Sequence, residues 1–146
     1  MQNVFPFLIG TFQIRNIKTG QYLSSNGYYI TLTDTTMGAS SEWVWEKNNE
    51  TDVWATIHPK TDTEKVIEAY YHSCNSDEGT CGVGLQFNNP GSSRWVNRQW
   101  RKVENKIISN SLKKPYSFAL DSKENLVLKT AGTSYENQEW TLIESK

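Results

Sequence analysis

Near its end the chain reads YENQEWTLI, residues 135–143, and this stretch decides the fold because two other stretches repeat its plan. Residues 40–46 read SSEWVWE and residues 95–103 read WVNRQWRKV, so each stretch has a polar approach, a Trp and a strand-like exit. The repeated anchors are predicted to be Trp45, Trp100 and Trp140. A unit of about 40 residues is typical of structural repeats, and the longer first interval indicates an insertion in the second unit.

Each unit has the same internal order. An alternating strand comes first, and a turn, a second strand, a polar tip, a third strand and a loop into the Trp strand follow. No window of helical length places apolar residues at helical spacing. Twelve short strands must each bury one face, so the sequence predicts one all-β domain over residues 1–146, a closed barrel with a cap. The repeats are expected at approximately residues 10–50, 51–104 and 105–146.

The charge of the chain is balanced. Its 146 residues include 15 Lys and Arg against 16 Asp and Glu, scattered along the sequence. This balance gives no indication of nucleic acid or of a membrane surface as a partner. Residues 1–10 lack the basic start and the cleavage pattern of a signal peptide, and no apolar run approaches a membrane span. We therefore expect a cytoplasmic protein, or one that leaves the cell by a non-classical route.

A complete Gln-x-Trp motif, Gln138-Glu139-Trp140, closes the third unit. With this motif and its three-unit plan, the sequence from Gly10 to Ile143 resembles the ricin B-type β-trefoil lectins, most of all the small single-domain lectins of fungi. The resemblance implies a β-trefoil fold in which the Gln and the Trp of each motif pack in the core. It also implies non-catalytic binding of glycans or glycoproteins of the galactose or N-acetylgalactosamine type, and it allows a homodimer.

The third unit gives the best match to the sugar pocket of the resembled family. That pocket uses an Asp near the hairpin, an aromatic ring, and an Asn directly before the Gln of the motif. Asp121, at the end of the second strand, and Asn137 correspond to the two polar residues. A carboxylate accepts hydrogen bonds from neighbouring hydroxyls, and an amide both donates and accepts them. The third strand has no aromatic residue, so Tyr135 is expected to supply the ring.

The other two units match the pocket less fully. Asn97 lies three residues before the Trp of the second unit and Trp95 lies five residues before it, which is the spacing of the third unit. Tyr71, at the hairpin, is expected to join Trp95 as a second platform, although core packing explains both rings equally well. In the first unit, Trp43 and Trp45 share one face of a strand, so at least one of them is structural.

Catalysis, a cofactor and a bound metal find no support in the sequence. His58 and His72 are isolated, and no nucleophile motif, metal-ligand spacing or carboxylate pair stands out. We therefore expect no enzyme. Cys74 and Cys81 lie in a polar stretch that is typical of a hairpin tip, and both a local disulfide and two free thiols are consistent with their spacing.

A protease inhibitor is the first alternative function. The β-trefoils include inhibitors that insert loops into a protease cleft, and the long insertion at residues 70–84 would serve as such a loop. The Asn before the Gln-x-Trp motif favours the lectin, because an inhibitor has no need of it. A second alternative is a structural module like the actin-bundling trefoils, which would require a single domain to self-associate.

Overall fold

Short β-strands make up most of the molecule. A computed structural model describes residues 7–47, 49, 51–77, 79–88, 96–111, 115–131 and 136–145. Within them the strands are β1 (Phe7–Asn16), β2 (Tyr22–Ser25), β3 (Ile30–Thr33), β4 (Glu42–Lys47), β5 (Thr56–Pro59), β6 (Lys65–Asn75), β7 (Thr80–Phe87), β8 (Trp100–Val103), β9 (Lys106–Ser109), β10 (Tyr116–Leu120), β11 (Leu126–Thr130) and β12 (Trp140–Glu144). Three 3₁₀ turns span Gly38–Ser41, Val96–Arg98 and Glu136–Gln138. No helix in these ranges is long and apolar enough to cross a membrane.

Alternating burial and tight turns account for the strands and their ends. In β9, Ile107 and Ser109 are buried while the residues between and before them are more exposed, as the two-residue period of a strand requires. At the tip between β2 and β3, Gly27 has a φ of 97°, and between β6 and β7, Gly79 has a φ of 67°. Glycine adopts this left-handed backbone without a steric penalty, so both hairpins turn sharply.

Six strands close a barrel. Strand β1 pairs with β4 and β12, β4 pairs with β5, and β8 pairs with β9, all antiparallel. Two backbone bridges complete the ring. Ala55 and Trp100 exchange two N–H···O bonds of 2.8 Å, and Trp140 donates its N–H to the carbonyl of Asn105 at 2.7 Å.

Three hairpins, β2–β3, β6–β7 and β10–β11, form the cap. Strand β7 also pairs with β11, where Cys81 faces Leu128 and Thr80 faces Lys129. The hairpins share one core with the barrel, since Leu23 of the cap and Ile14 of the barrel belong to the same buried cluster. A six-stranded barrel with one cap hairpin from each third of the chain is a β-trefoil, so the predicted fold is confirmed.

Three indoles show the threefold repetition. The buried rings are Trp43, Trp100 and Trp140. Each Nε1 donates at 3.0 Å to a backbone carbonyl in the second strand of its own unit; the acceptors are Leu23, Ile67 and Phe118. An indole buried in an apolar core needs such an acceptor, so each bond ties the fourth strand of a unit to its cap hairpin.

The prediction of Trp45 as the anchor of the first unit is wrong by two residues. Trp43 follows the 3₁₀ turn Gly38–Ser41 just as the other two anchors follow theirs. Trp45 is also buried and packs edge-on against Phe12 at 6.4 Å, but its N–H has no acceptor among the described residues. Residues two apart on a strand share a face, so the sequence did not show which of the two rings is the repeat anchor.

The residue two positions before each anchor Trp is buried and finds a different partner in each unit. The pairs are Ser41 with Ser24 at 2.8 Å, Arg98 with Glu68 at 2.8 Å, and Gln138 with Ser117 at 2.5 Å. The second unit therefore uses an ion pair where the other two use neutral groups. Because a buried charge is costly without its counter-charge, removing either partner of this pair is expected to destabilise the second unit.

Cys74 and Cys81 are joined by a disulfide, which decides between the two alternatives that the sequence left open. The two residues stand opposite each other in the β6–β7 pairing. The stretch expected to be a loop at residues 70–84 belongs instead to the β6–β7 hairpin, because β6 continues to Asn75 and β7 begins at Thr80. The pairing register shifts between Tyr70 and Cys74, so the hairpin is irregular there.

Candidate functional site

Asp121 forms the turn that joins β10 to β11. Its Oδ1 accepts the backbone N–H groups of Lys123 at 2.8 Å and of Asn125 at 2.9 Å. These two donors fix the orientation of the carboxylate. Oδ2 has one weak contact among the described residues, Asn125 Nδ2 at 3.5 Å, so this oxygen has capacity for a ligand donor.

The Asp121 carboxylate is charged at physiological pH. Partial desolvation would raise its pKa, but the hydrogen bonds from Asn125 and Lys123 and the charge of Lys123 together outweigh that effect. The pKa therefore lies below the ordinary value of 3.8. A charged oxygen accepts hydrogen bonds more strongly than a neutral one, so Asp121 is a strong candidate acceptor at this turn.

Asn137 is hydrogen-bonded to Leu120, the last residue of β10. Its Nδ2 donates to the carbonyl of Leu120 at 2.5 Å, and its own backbone carbonyl accepts from Asn16 Nδ2 at 3.2 Å. Its Oδ1 is buried and has no hydrogen-bond partner among the described residues. The amide oxygen is therefore inaccessible to a ligand in this structure, and the contacts give Asn137 a role in positioning Leu120 and the adjacent Asp121.

A polar cavity of about 490 Å³ lies beside Asp121. Its walls are formed by Thr80, Asp121, Ser122, Lys123, Asn125 and Lys129. Asn137 is not among them, so the structure links Asp121 and Asn137 through Leu120 without placing both on the cavity. Every wall residue carries a hydroxyl, carboxylate, amide or ammonium group, which suits a ligand with many hydroxyls.

Sequence reasoning missed Thr80 and Lys129. They belong to different units and share no motif, but the pairing of β7 with β11 sets them opposite each other. Nothing in the local sequence signals that contact, because it depends on how two cap hairpins meet. The disulfide that closes β6–β7 includes Cys81, the residue next to Thr80.

The two rings expected at the sugar sites, Tyr135 and Trp95, lie outside the described residues. Asn97 lies in the 3₁₀ turn Val96–Arg98 and is partly buried. The roles of these three residues therefore stay predictions.

Tyr71 packs between the second and third units. Its hydroxyl is hydrogen-bonded to Ser109 Oγ at 2.9 Å and to the carbonyl oxygen of Asn110 at 3.2 Å, and its ring lies 5.7 Å from that of Tyr116. Burial raises the pKa of Tyr71, and the hydrogen bond to Ser109 offsets only part of that increase. These contacts correspond to the packing role that the sequence allowed for this ring.

Both ring nitrogens of the buried His58 have hydrogen-bond partners within the protein. Its Nδ1 lies 2.7 Å from the carbonyl oxygen of Lys65 and its Nε2 lies 2.7 Å from Thr56 Oγ1. A carbonyl only accepts, so Nδ1 donates to Lys65. Nε2 also lies 3.6 Å from Glu46 Oε2. Among the residues that the structure describes, no group of three or more His, Cys, Asp or Glu side chains is placed to hold a metal ion.

Solved structures similar to this chain show what fold it shares with known proteins. No protein-family model matches the sequence, and no curated protein sequence matches it. A designed threefold-symmetric protein, ThreeFoil, is similar with a TM-score of 0.69 and 14% identity, over 93% of this chain and 99% of that one. The ricin B-like lectin of Macrolepiota procera, solved in complex with lactose, is similar with a TM-score of 0.63 and 16% identity, over 92% of this chain and 95% of that one.

One similar structure belongs to an enzyme. The endo-β-galactosidase of Clostridium perfringens that releases GlcNAcα1-4Gal has a TM-score of 0.64 and 17% identity over 94% of this chain. The chain spans about a third of the length of that enzyme, 33%. At these identities the similarities establish the β-trefoil fold that the chain shares with ricin B-like lectins.

Proposed function

We propose that this chain is a non-catalytic lectin that binds glycans of the galactose or N-acetylgalactosamine type. The observation that carries the proposal is Asp121, a carboxylate that is held charged and oriented beside a cavity whose lining residues all carry polar groups. The fold shared with a lectin solved in complex with lactose supports it. Among the described residues no observation favours the protease inhibitor, since residues 70–84 belong to the β6–β7 hairpin and not to an unpaired loop.

Hydrogen bonding is the proposed mechanism of recognition. Sugar hydroxyls donate to Asp121 Oδ2, while Oδ1 keeps its two backbone donors. The hydroxyl of Ser122 and the amide of Asn125 stand on the same cavity and both donate and accept. Asn137 supports the site by holding Leu120, and Tyr135 is proposed to add a ring against the apolar face of the sugar.

A second site is proposed in the second unit, with Trp95 as its ring and Asn97 as its polar residue. Two sites on one chain allow simultaneous engagement of a branched or clustered glycan, which raises avidity without new contacts. Glycoproteins are therefore the proposed partners.

Asp121→Asn is the variant that tests the proposal. It keeps an oxygen for the backbone donors of the turn but removes the charge, so the fold is expected to survive while affinity for lactose at this site falls about tenfold to a hundredfold. Calorimetric titration with lactose measures the affinity and the number of sites, and thermal melting checks the fold.

Asp62→Asn is the matched control, because Asp62 Oδ1 accepts the backbone N–H of Glu64 in a turn outside the cavity. It is expected to bind lactose as the parent does. Parental lactose binding by Asp121→Asn at every site would show that Asp121 only forms the turn.

The lowered pKa of Asp121 sets the expected pH dependence. The carboxylate must be charged to act as a strong acceptor, and its pKa lies below 3.8, so binding is present above that pH and is lost as the pH falls through the pKa. Lactose titrations at decreasing pH are therefore expected to lose most of the affinity only when the solution is more acidic than pH 3.8. A loss of affinity near neutral pH, in protein that remains folded, would identify a different titrating group.

A further inference from the structure

A second cavity lies among the strands of the barrel, and it is called the barrel cavity below. Its volume is about 480 Å³, which is within the range of small-molecule sites. Its walls come from strands β1, β4, β8 and β12 and from the segment 51–55, and none of the described wall residues lies on a cap hairpin. The barrel cavity is therefore separate from the cavity beside Asp121, with which it shares no described wall residue.

Apolar side chains form one part of the walls of the barrel cavity. The rings of Phe12 and Trp45 lie edge to face with their centroids 6.4 Å apart, and Leu142 lines the same space. Val53 and Val103 line it as well, although their exposed fractions are 54% and 39%. A ligand that covers these side chains removes apolar surface from water, so the walls favour a ligand with an apolar body.

Positive charge predominates on the other walls. The described wall residues carry three cations against one carboxylate, Asp52. The cations are Lys47, Arg101 and Lys102. The guanidinium of Arg101 lies 5.2 Å from the ring centroid of Trp54, and this cation–π contact restricts its position. None of the salt bridges among the described residues involves Lys47 or Arg101, so both charges are available to an anion.

We propose that the barrel cavity binds a small aromatic carboxylate, with the ring against the apolar walls and the carboxylate beside Lys47 and Arg101. A neutral apolar molecule would leave these cations without a counter-charge, and a small hydrophilic anion would leave the apolar walls in water. A ligand with both parts satisfies both kinds of wall. This inference does not depend on the proposed lectin function, because the two cavities have different walls.

The probes are 2-naphthoate and 2-naphthamide, which have the same fused ring and differ in charge. The ratio of their affinities therefore isolates the effect of the carboxylate. In NMR titrations of the parent we expect the backbone amide resonances of residues 101–103 to shift, and naphthoate to bind about three- to tenfold more tightly than naphthamide. In about 1 M salt this preference is expected to shrink, because the Debye length falls to about 3 Å.

The cations are tested by the double variant Lys47→Gln with Arg101→Gln. It leaves Lys102 to balance Asp52, so it is expected to bind the two probes equally. The matched control is Lys106→Gln with Arg15→Gln, which removes the same two charges from β9 and β1, outside the barrel cavity. The control is expected to keep the preference for naphthoate. Thermal melting checks that both double variants are folded.

The outcomes of these titrations decide the inference separately from the lectin function. A preference for naphthoate in the parent and the control that is lost in Lys47→Gln with Arg101→Gln supports it. Binding of neither probe, equal binding of both by the parent, a preference that survives in that variant, or shifts confined to residues outside the barrel cavity overturns it. Shifts of the same amides on raising the protein concentration without a probe would show that a second copy of the chain occupies the cavity, and would also overturn it.

A lactose titration in the presence of naphthoate is the test that keeps the two proposals apart. Lactose is expected to bind as it does without naphthoate, because the two ligands occupy different cavities. Competition between them would overturn the separate site. Failure to bind lactose or any other sugar, in protein that binds naphthoate at the barrel cavity, would overturn the lectin function alone.

Discussion

Trp43→Ala is expected to lower the free energy of unfolding by about 3–5 kcal/mol, as large-to-small changes of buried aromatic residues do. The ring is fully buried, and its Nε1 donates to the carbonyl of Leu23 at 3.0 Å, so the change leaves both a cavity and an unpaired buried acceptor. The expected loss is a large fraction of the stability of a typical domain. Urea denaturation of the variant and the parent measures it.

The neighbouring ring provides the matched control. Trp43→Phe removes the bond to Leu23, which is expected to add about 1–3 kcal/mol to the cost of the smaller ring. Trp45→Phe removes no hydrogen bond, because the indole N–H of Trp45 has no acceptor among the described residues. Trp43→Phe is therefore expected to be the more destabilising of the two. If Trp45→Phe is instead the more destabilising variant, Trp45 is the repeat anchor of the first unit.

Glu68→Gln is expected to destabilise the protein by about 3–5 kcal/mol, because it leaves the guanidinium of Arg98 buried without a counter-charge. The two side chains are 1% and 6% exposed, and Arg98 Nε lies 2.8 Å from Glu68 Oε1. The surface pair of Glu42 with Lys60 at 3.1 Å serves for comparison. Because the Lys60 side chain is 47% exposed, Glu42→Gln is expected to cost less than about 1 kcal/mol.

A double variant shows whether the cost of Glu68→Gln arises from the unpaired charge. Replacing both partners with apolar residues of similar size, Glu68→Leu with Arg98→Met, removes the charges together and is expected to recover most of the lost stability. Denaturant titrations of the single and double variants decide the point. A single variant within about 1 kcal/mol of the parent would show that water or another group solvates Arg98.

The plan of the fold was readable from the sequence because its signals are local. Alternating residues and turn-forming glycines predict strands within a few residues, and three similar Trp segments predict three units. Asp121 was singled out through the resemblance to the ricin B-type lectins, whose sugar pocket uses an Asp near the hairpin.

The sequence did not reveal contacts that join residues far apart in the chain. Trp43 and Trp45 have the same period and the same chemistry, so only the 3₁₀ turn and the bond to Leu23 identify the anchor. The bond from the Asn137 amide to the carbonyl of Leu120 was likewise not visible in the sequence.

What the sequence determined by itself is the set of strands, their division into three units and the carboxylate at the β10–β11 turn. What the tertiary structure alone decided is the neighbours of that carboxylate. Thr80 and Lys129 reach its cavity through the pairing of β7 with β11, which joins residues from two units. Such a contact depends on the packing of whole hairpins around a common core, and short-range patterns carry no information about it.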